Sequence, residues 1–423
     1  MLDPKYIREN VNDVKKNVKA RKSDADVDAF LRVDKERSKI MREIEDMRAD
    51  RNVVAKDMGS AKTKSEKDKL IKKGKKLKDE TAAKEAKLKE MEGEWKTLLQ
   101  KFPNLTHSKV PKGDSDADNV EIKKFGKVKK MKDALDHVEL AKKHDLIDFE
   151  RAAKTTGAKF YFLKNKLAIL EQALMRYAID FAIREGFEFL KTPDLSKEEV
   201  LVGKGYLPRG PEKQVYFVEG EDLALIGTSE ITVLGYHMNE MLSSEEMPKK
   251  YVAFSHCFRT EAGAYGRESY GLYRVHQFDK VEMFAFTLPD QSEAVHKEFL
   301  RLQQEFWKSL EVPFRAVDCC TGDLGGSDYR RYDLEAWMPG RENGKGGWGE
   351  VTSTSNCLDY QSRGLNIKFK SKEGDKGLAH TLNGTVAASP RALIPILENH
   401  QQADGSIKIP KVLVSYCGFD KIG

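Results

Sequence analysis

Between Lys5 and Phe102 the apolar positions fall into two ladders with seven-residue spacing. Val33, Ile40, Met47 and Val54 make the first, beside Phe30, Ile44 and Met58. Leu70, Leu77, Met91 and Leu98 make the second, beside Leu88, Trp95 and Phe102, with Lys84 interrupting it. Such spacing puts one apolar seam on each helix and favours a coiled coil. No proline breaks the run. The ladders are separated by MGSAKTKSEK, so the pattern predicts an antiparallel helical hairpin that turns at Gly59-Ser60 and restarts from an N-cap at Ser65.

The turn-rich stretch KFPNLTHSKVPKGDSDADN (101–119) reads as a boundary, which divides the chain into a helical arm domain, 1–110, and a second domain, 111–423. Helical segments are predicted near Met131–Lys143 and Asn165–Glu185. In the latter, Leu167, Leu170, Leu174, Tyr177, Ile179 and Phe181 lie near helical spacing. FEFLKTPDL is a strand stopped by Pro193. Short strands then follow: QVYFVEG, LALIG, KYVAFSHCFRT, QFDKVEMFAFT, FRAVDCC, YRRYDLEAWMP and WGEVTSTSN, with helices near Ile231–Leu242 and Gln291–Leu310. Many strands without regular βαβ alternation, and no Walker A sequence, predict an α+β fold: an antiparallel sheet flanked by helices.

Charge sharpens this division. The net charge is +6, yet residues 1–100 hold 28 Lys+Arg against 21 Asp+Glu, and the other 323 residues are nearly balanced. An acidic partner is therefore expected at the first quarter of the chain. Lys62 to Lys78 contains nine lysines and only Glu66 and Asp68 as acids. That run reads either as a solvated helix face or as a surface that tracks phosphates, and the sequence leaves the choice open. No apolar stretch is long enough to span a membrane, and MLDPKYIREN lacks a signal-peptide core, which predicts a cytoplasmic protein. Five cysteines without a C-x-x-C pair argue against disulfides and zinc ribbons. His256-Cys257 and Cys319-Cys320 are better read as buried structural thiols than as metal ligands.

The chemistry concentrates in SHCFRTEAGAYGRESYGLYRVHQFDKVEMF, Ser255 to Phe284. It places Arg259, Arg267 and Arg274 around a loop with Gly263, Gly266 and Gly271. Arginine forks suit phosphate and carboxylate oxygens, and glycines let backbone approach a ligand. Strand period puts Arg259 with Glu261 on one face, and Phe278, Lys280 and Glu282 on one face of the returning strand. An aromatic for a base, arginines for phosphates and carboxylates for an ammonium or a divalent ion would suit a nucleotide beside an amino acid. WGEVTSTSNCLDYQSRG adds Glu350 and Ser353 as hard oxygen ligands, and LNGTVAASPRALIPILENHQQ leads from strand to helix through Arg391.

CFRTEAGAYGRESYGLYRVHQFDKVEMF resembles motif 2 of class II aminoacyl-tRNA synthetases in the form found in the seryl enzymes. NGTVAASPRALIPILENHQQADGSIKIPKVL resembles their motif 3, REGFEFLKTPDL their motif 1 with its dimer-interface proline at Pro193, and LIGTSEI their T-x-E serine segment. The N-terminal hairpin resembles the family's tRNA-binding arm, so the likeness spans essentially the whole chain. It implies a homodimeric ligase that joins L-serine to tRNA(Ser) with ATP and Mg²⁺; whether a selenocysteine tRNA is also charged stays open.

Carried over by position, the resemblance implies that Arg259 holds the α-phosphate and the serine carboxylate. Glu261 would bind the adenine amino group and Phe278 would stack on adenine, with Thr260, Val275, Val351 and Thr352 also at the nucleotide. Arg274 and Arg391 would hold the γ-phosphate, and Glu350 with Ser353 the Mg²⁺. Arg259, Glu261, Glu350 and Arg391 would carry catalysis, and Thr228, Ser229, Glu230, Glu282 and Thr385 would surround the serine. Lys62, Lys64, Lys67, Lys69, Lys72, Lys73, Lys75 and Lys76 would meet tRNA. One departure is NGTVAA where the bacterial pattern often reads N-G-S-G-L-A; Thr385 keeps the hydroxyl but adds a methyl to the pocket. The alternatives are a non-catalytic tRNA-binding paralogue, disfavoured by the presence of Arg259, Arg274 and Arg391, and a paralogue that loads a carrier protein, disfavoured by the basic arm.

Overall fold

The computed structural model describes every residue except 129–130, 132–133, 207–213 and 262–269. Contacts divide the chain into two compact units, residues 2–103 and residues 104–423 together with Met1.

The first unit is dominated by α1 (Val27–Ser60) and α2 (Lys64–Gln100), which pack along their length. Asp26 caps α1 by accepting from the Ala29 amide. The start of α2 corrects the expected N-cap: it is Thr63, not Ser65. The Thr63 hydroxyl accepts from the Glu66 amide while the Glu66 carboxylate accepts from the Thr63 amide. A glutamate three residues on completes that reciprocal box for Thr63, and Ser65 has no such partner. Gly59 and Ser60 belong to the last turn of α1, so the reversal is made by residues 61–63.

Ile40, Ile44 and Val54 are buried in the seam, with Val33 and Met47 half-buried. On α2, Gly74 and Thr81 fill the rungs between the leucines; a side chain at Gly74 would reach Val54 at 3.6 Å. Lys84 does not break the seam. It is half-buried and pairs with Glu43 of α1, its stem covering apolar surface while the ammonium finds a carboxylate. Asp34, a buried acid the pattern did not single out, accepts from Trp95 Nε1 at 2.8 Å and from Arg8 Nη1 at 3.0 Å. All nine lysines from Lys62 to Lys78 are exposed.

The second unit is built on an eight-stranded sheet. In chain order its strands are β1 (Val120–Phe125), β2 (Glu188–Lys191), β3 (Lys249–Phe258), β4 (Gln277–Thr287), β5 (Phe314–Asp318), β6 (Arg330–Met338), β7 (Gly347–Leu358) and β8 (His380–Ser389). Their order across the sheet is β1-β5-β6-β7-β8-β4-β3-β2, antiparallel throughout except for the parallel edge pair β2–β3. Helices α3 (Asn165–Arg184) and α4 (Ser292–Ser309) pack on β8, and α5 (Leu393–His400) follows β8. The apolar stripe of α3 (Leu167, Leu170, Leu174, Tyr177) joins Phe299, Phe306 and Trp307 of α4 in one core. Burying each such side chain contributes about 1.5–3 kcal/mol, and the result is a rigid platform under the central strands.

Three local expectations are corrected. The helix placed at Met131–Lys143 is only His137–Lys143, capped by Asp136. QVYFVEG forms a single bridge, Phe217 to Ala224, in place of a strand. The helix expected to reach Leu242 ends at Tyr236, and Met241–Ser243 turns into a strand that pairs with Lys368–Lys370. Short apolar runs do not distinguish strand from helix without their long-range partners.

Candidate active site

Adjacent central strands β7, β8, β4 and β3 converge on an open cleft. Arg259, Glu261, Arg274, Val275, Phe278, Glu350, Val351, Thr352, Ser353, Thr385 and Arg391 all line it. Gly263, Gly266 and Arg267 lie outside the described residues.

Arg259 and Glu261 do not share a strand face as expected. β3 ends at Phe258, and Glu261 takes a left-handed backbone with φ of 47°. The Thr260 and Glu261 amides both donate to Gln214, at 3.3 Å to its carbonyl and 3.1 Å to its side-chain oxygen. That turn still brings both side chains into the cleft. The Arg259 guanidinium lies 5.1 Å from the Phe278 ring centroid, and Nη2 donates to the Gly227 carbonyl at 3.3 Å. Glu261 pairs with Arg274 at 3.5 Å.

A three-residue spacing would put Glu350 and Ser353 on opposite faces of a regular strand. A bulge between them prevents this: Thr352 pairs with Leu334, but Glu350 pairs with Glu335, leaving Val351 as the extra residue. Both side chains therefore share one face. Glu350 pairs with Arg391 at 3.3 Å and keeps 46% of its side-chain surface open to the cleft. Burial alone would raise its carboxyl pKa. Arg391, and after it Arg331, Arg259 and Arg274, outweigh burial and hold the carboxyl below its ordinary value. An ionised carboxylate beside a hydroxyl is a hard-oxygen donor pair that fits Mg²⁺ shared with phosphates.

Behind the cleft, Thr385 faces Glu282 across β8 and β4, and its hydroxyl donates to Glu282 Oε2 at 2.8 Å. Lys280 pairs with the same oxygen at 2.8 Å. Burial raises the Glu282 carboxyl, with Lys280 and Thr385 opposing and the nearby charge of Glu230 adding to the rise. Glu230 is fully partnered. Gln361 and Asn383 donate to its Oε1 at 2.6 and 3.0 Å, and Lys204 meets Oε2 at 3.1 Å. Burial would lower the Lys204 ammonium, but Glu230 more than offsets it and the pKa is raised. Thr228 accepts from the Glu230 amide at 3.2 Å, and the Ser229 hydroxyl is buried without a partner.

Lys204 and Gln303 lie outside every quoted motif, and Gln361 and Asn383, though inside quoted segments, are given no role by the sequence. Gln303 of α4 donates to the carbonyls of Ser353 and Thr385 at 2.7 and 2.8 Å, fixing the spacing between the two strands that hold them. All five cysteines are buried free thiols. Cys319, Asp323 and Asp333 cluster closely enough to suggest a metal, but Arg331 already fills their centre, donating to Asp323 at 2.6 Å and to Asp333 at 3.0 Å.

The seryl-tRNA synthetase N-terminal domain family matches residues 1–106, and the class II tRNA synthetase core domain family (G, H, P, S and T) matches 216–400. The serine–tRNA ligase of Treponema denticola is 49% identical, with both chains covered in full. That of Rubrobacter xylanophilus is 47% identical over 100% of this chain and 99% of its own. The crystal structure of seryl-tRNA synthetase from Pyrococcus horikoshii complexed with ATP superposes with a TM-score of 0.90 at 38% identity, covering 100% of this chain and 99% of that one.

Proposed function

The chain belongs to the seryl-tRNA synthetase family, the serine–tRNA ligases, and from that premise we propose how its cleft performs the reaction. Serine lies with its ammonium and hydroxyl toward Glu282, Thr385 and Thr228, and its carboxylate toward Arg259. ATP lies with adenine on Phe278, its amino group at Glu261, and its outer phosphates at Arg274 and Arg391. A serine carboxylate oxygen attacks the α-phosphorus, the bond from that phosphorus to the bridging oxygen breaks, and pyrophosphate leaves. The 3′-terminal ribose hydroxyl of tRNA(Ser) then takes the seryl group and AMP departs. Arg259 would stabilise the charge that grows at the α-phosphate, so no protein nucleophile is required. Mg²⁺, held by Glu350 and Ser353, would supply charge neutralisation at the phosphates.

The observation that carries this reading is the buried Thr385–Glu282 pair beside Arg259 and Phe278. Alanine offers those polar groups no hydroxyl, so ATP–pyrophosphate exchange across an amino-acid panel should favour serine over alanine, by up to a factor on the order of 10⁴. Alanine activated within about tenfold of serine would refute the pocket assignment.

We also infer a homodimer through β2 and α3, where Ile169, Ile183 and Phe189 are exposed apolar side chains and Pro193 follows β2. Light scattering that finds a fully active monomer near 48 kDa would refute it. The exposed lysines of α2 support tRNA binding by the arm. Among the described residues no helix is long and apolar enough to cross a membrane, and we place the enzyme in the cytoplasm.

A further inference from the structure

Arg341 sits in the turn between β6 and β7, outside every motif discussed so far. Its surroundings are built around it. A Cβ on Gly347 would stand 3.1 Å from Arg341 Cδ, and one on Gly349 only 2.5 Å from Nη1, so the side chain lies in a trough lined by the two glycines and would have to shift if either gained a side chain. Nη1 donates to the Trp348 carbonyl at 2.7 Å. So anchored, the guanidinium reaches 5.2 Å from the centroid of Tyr273, whose ring also carries the Arg391 guanidinium at 4.5 Å. Tyr273 lines the cleft, and its hydroxyl donates to the Glu350 carbonyl at 3.3 Å. Arg341 is therefore one ring away from the phosphate end of the site.

Its pairing differs from that of its neighbours. Arg391 is paired with Glu350 and Arg274 with Glu261, so each must exchange a carboxylate for a phosphate when the nucleotide enters. No carboxylate of the described residues lies within salt-bridge distance of Arg341, whose contacts are the Trp348 carbonyl and Tyr273. We propose that Arg341 is a further anion-binding residue of the enzyme, one that holds the outer end of the triphosphate and the departing pyrophosphate. This rests on the reading of the cleft as the ATP site. A guanidinium fork suits a terminal phosphate, and the Tyr273 ring is shared with Arg391.

The test is ATP–pyrophosphate exchange with Arg341→Met, which keeps the length and loses the charge. The KM values for ATP and pyrophosphate should each rise about tenfold, the scale of one charge-assisted contact. The affinity for AMP, which lacks the outer phosphates, should stay within about twofold by calorimetry. Arg341→Lys should recover part of the loss. Gly349→Ala, which pushes the guanidinium off its carbonyl, should act in the same direction as Arg341→Met. Wild-type KM values for pyrophosphate in both Arg341→Met and Gly349→Ala, or a loss that falls equally on AMP, would overturn the proposal. Arg391→Ala measured alongside separates the two levels: if it abolishes exchange while Arg341→Met is normal, only the proposal for Arg341 fails. If neither variant affects exchange, the ATP reading itself fails.

Discussion

The two units of this protein handle charge in opposite ways. At the hairpin's far end and along α2 the lysines from Lys62 to Lys78 stand in water, and among the described residues Lys76 alone of these has an ion-pair partner, Glu80 at 3.8 Å. In the second unit the charges that matter are largely enclosed and paired: Lys280 with Glu282, Lys204 with Glu230, Arg391 with Glu350, and Arg331 with Asp323 and Asp333. A solvated lysine costs almost nothing to keep and contributes little alone, so it suits a surface that gathers many weak phosphate contacts. A buried charge is expensive unless paired, and once paired it is held at a fixed point. That is what a site needs if it must present charge without reorganising during the reaction.

The sharpest way to break this contrast is Arg259→Ala. Losing one donor at the reacting phosphate should cost roughly 10²–10³ in adenylation rate, as should Arg391→Ala. Single-turnover formation of seryl-adenylate measures it, and a near-normal rate would show that the cleft is not preorganised around these arginines. Ile40→Ala in the arm should cost about 2–5 kcal/mol of hairpin stability. Thermal unfolding followed by circular dichroism should show the loss while pyrophosphate exchange stays normal; reduced exchange would mean that the units are not separable in function.

Replacing Lys72, Lys73, Lys75 and Lys76 together by Gln should weaken tRNA binding and flatten its salt dependence, by up to about 0.9 in log–log slope per lost contact. Adenylation, which needs no tRNA, should not change. An unchanged salt slope would return the run to a solvated helix face.

The smallest effect expected concerns Glu171, which accepts from the Ser389 hydroxyl beside the cleft. Burial raises its carboxyl to about 7, with Ser389 opposing and Asp279 adding. The folded protein then keeps a proton that the unfolded chain loses near its ordinary value of 4.5, so this group removes stability as pH rises from about 4.5 to 7. Glu171→Gln should show no relative gain at pH 4 and a gain on the order of 1 kcal/mol at pH 8. Equal shifts at both pH values in thermal unfolding would refute the assignment.

The seven-residue ladders determined the hairpin, because each rung depends on neighbours three or four residues away and the period survives one lysine. The strand-like run QFDKVEMFAFT likewise determined β4, whose bounds are Gln277–Thr287. The arginines and carboxylates of the cleft were legible as types, since phosphate chemistry demands them. Which of them meet was not. Glu350 and Ser353 share a face only because Val351 bulges against β6, and a bulge depends on the partner strand. Gln361 and Asn383 reach Glu230 from more than a hundred residues away in the chain, Lys204 joins them from a nearer segment, and the trough that holds Arg341 is made by glycines across a hairpin. Local pattern records what a residue prefers as a neighbour within a few positions. Pairing of buried charge is decided by packing, which alone brings distant partners within hydrogen-bond reach.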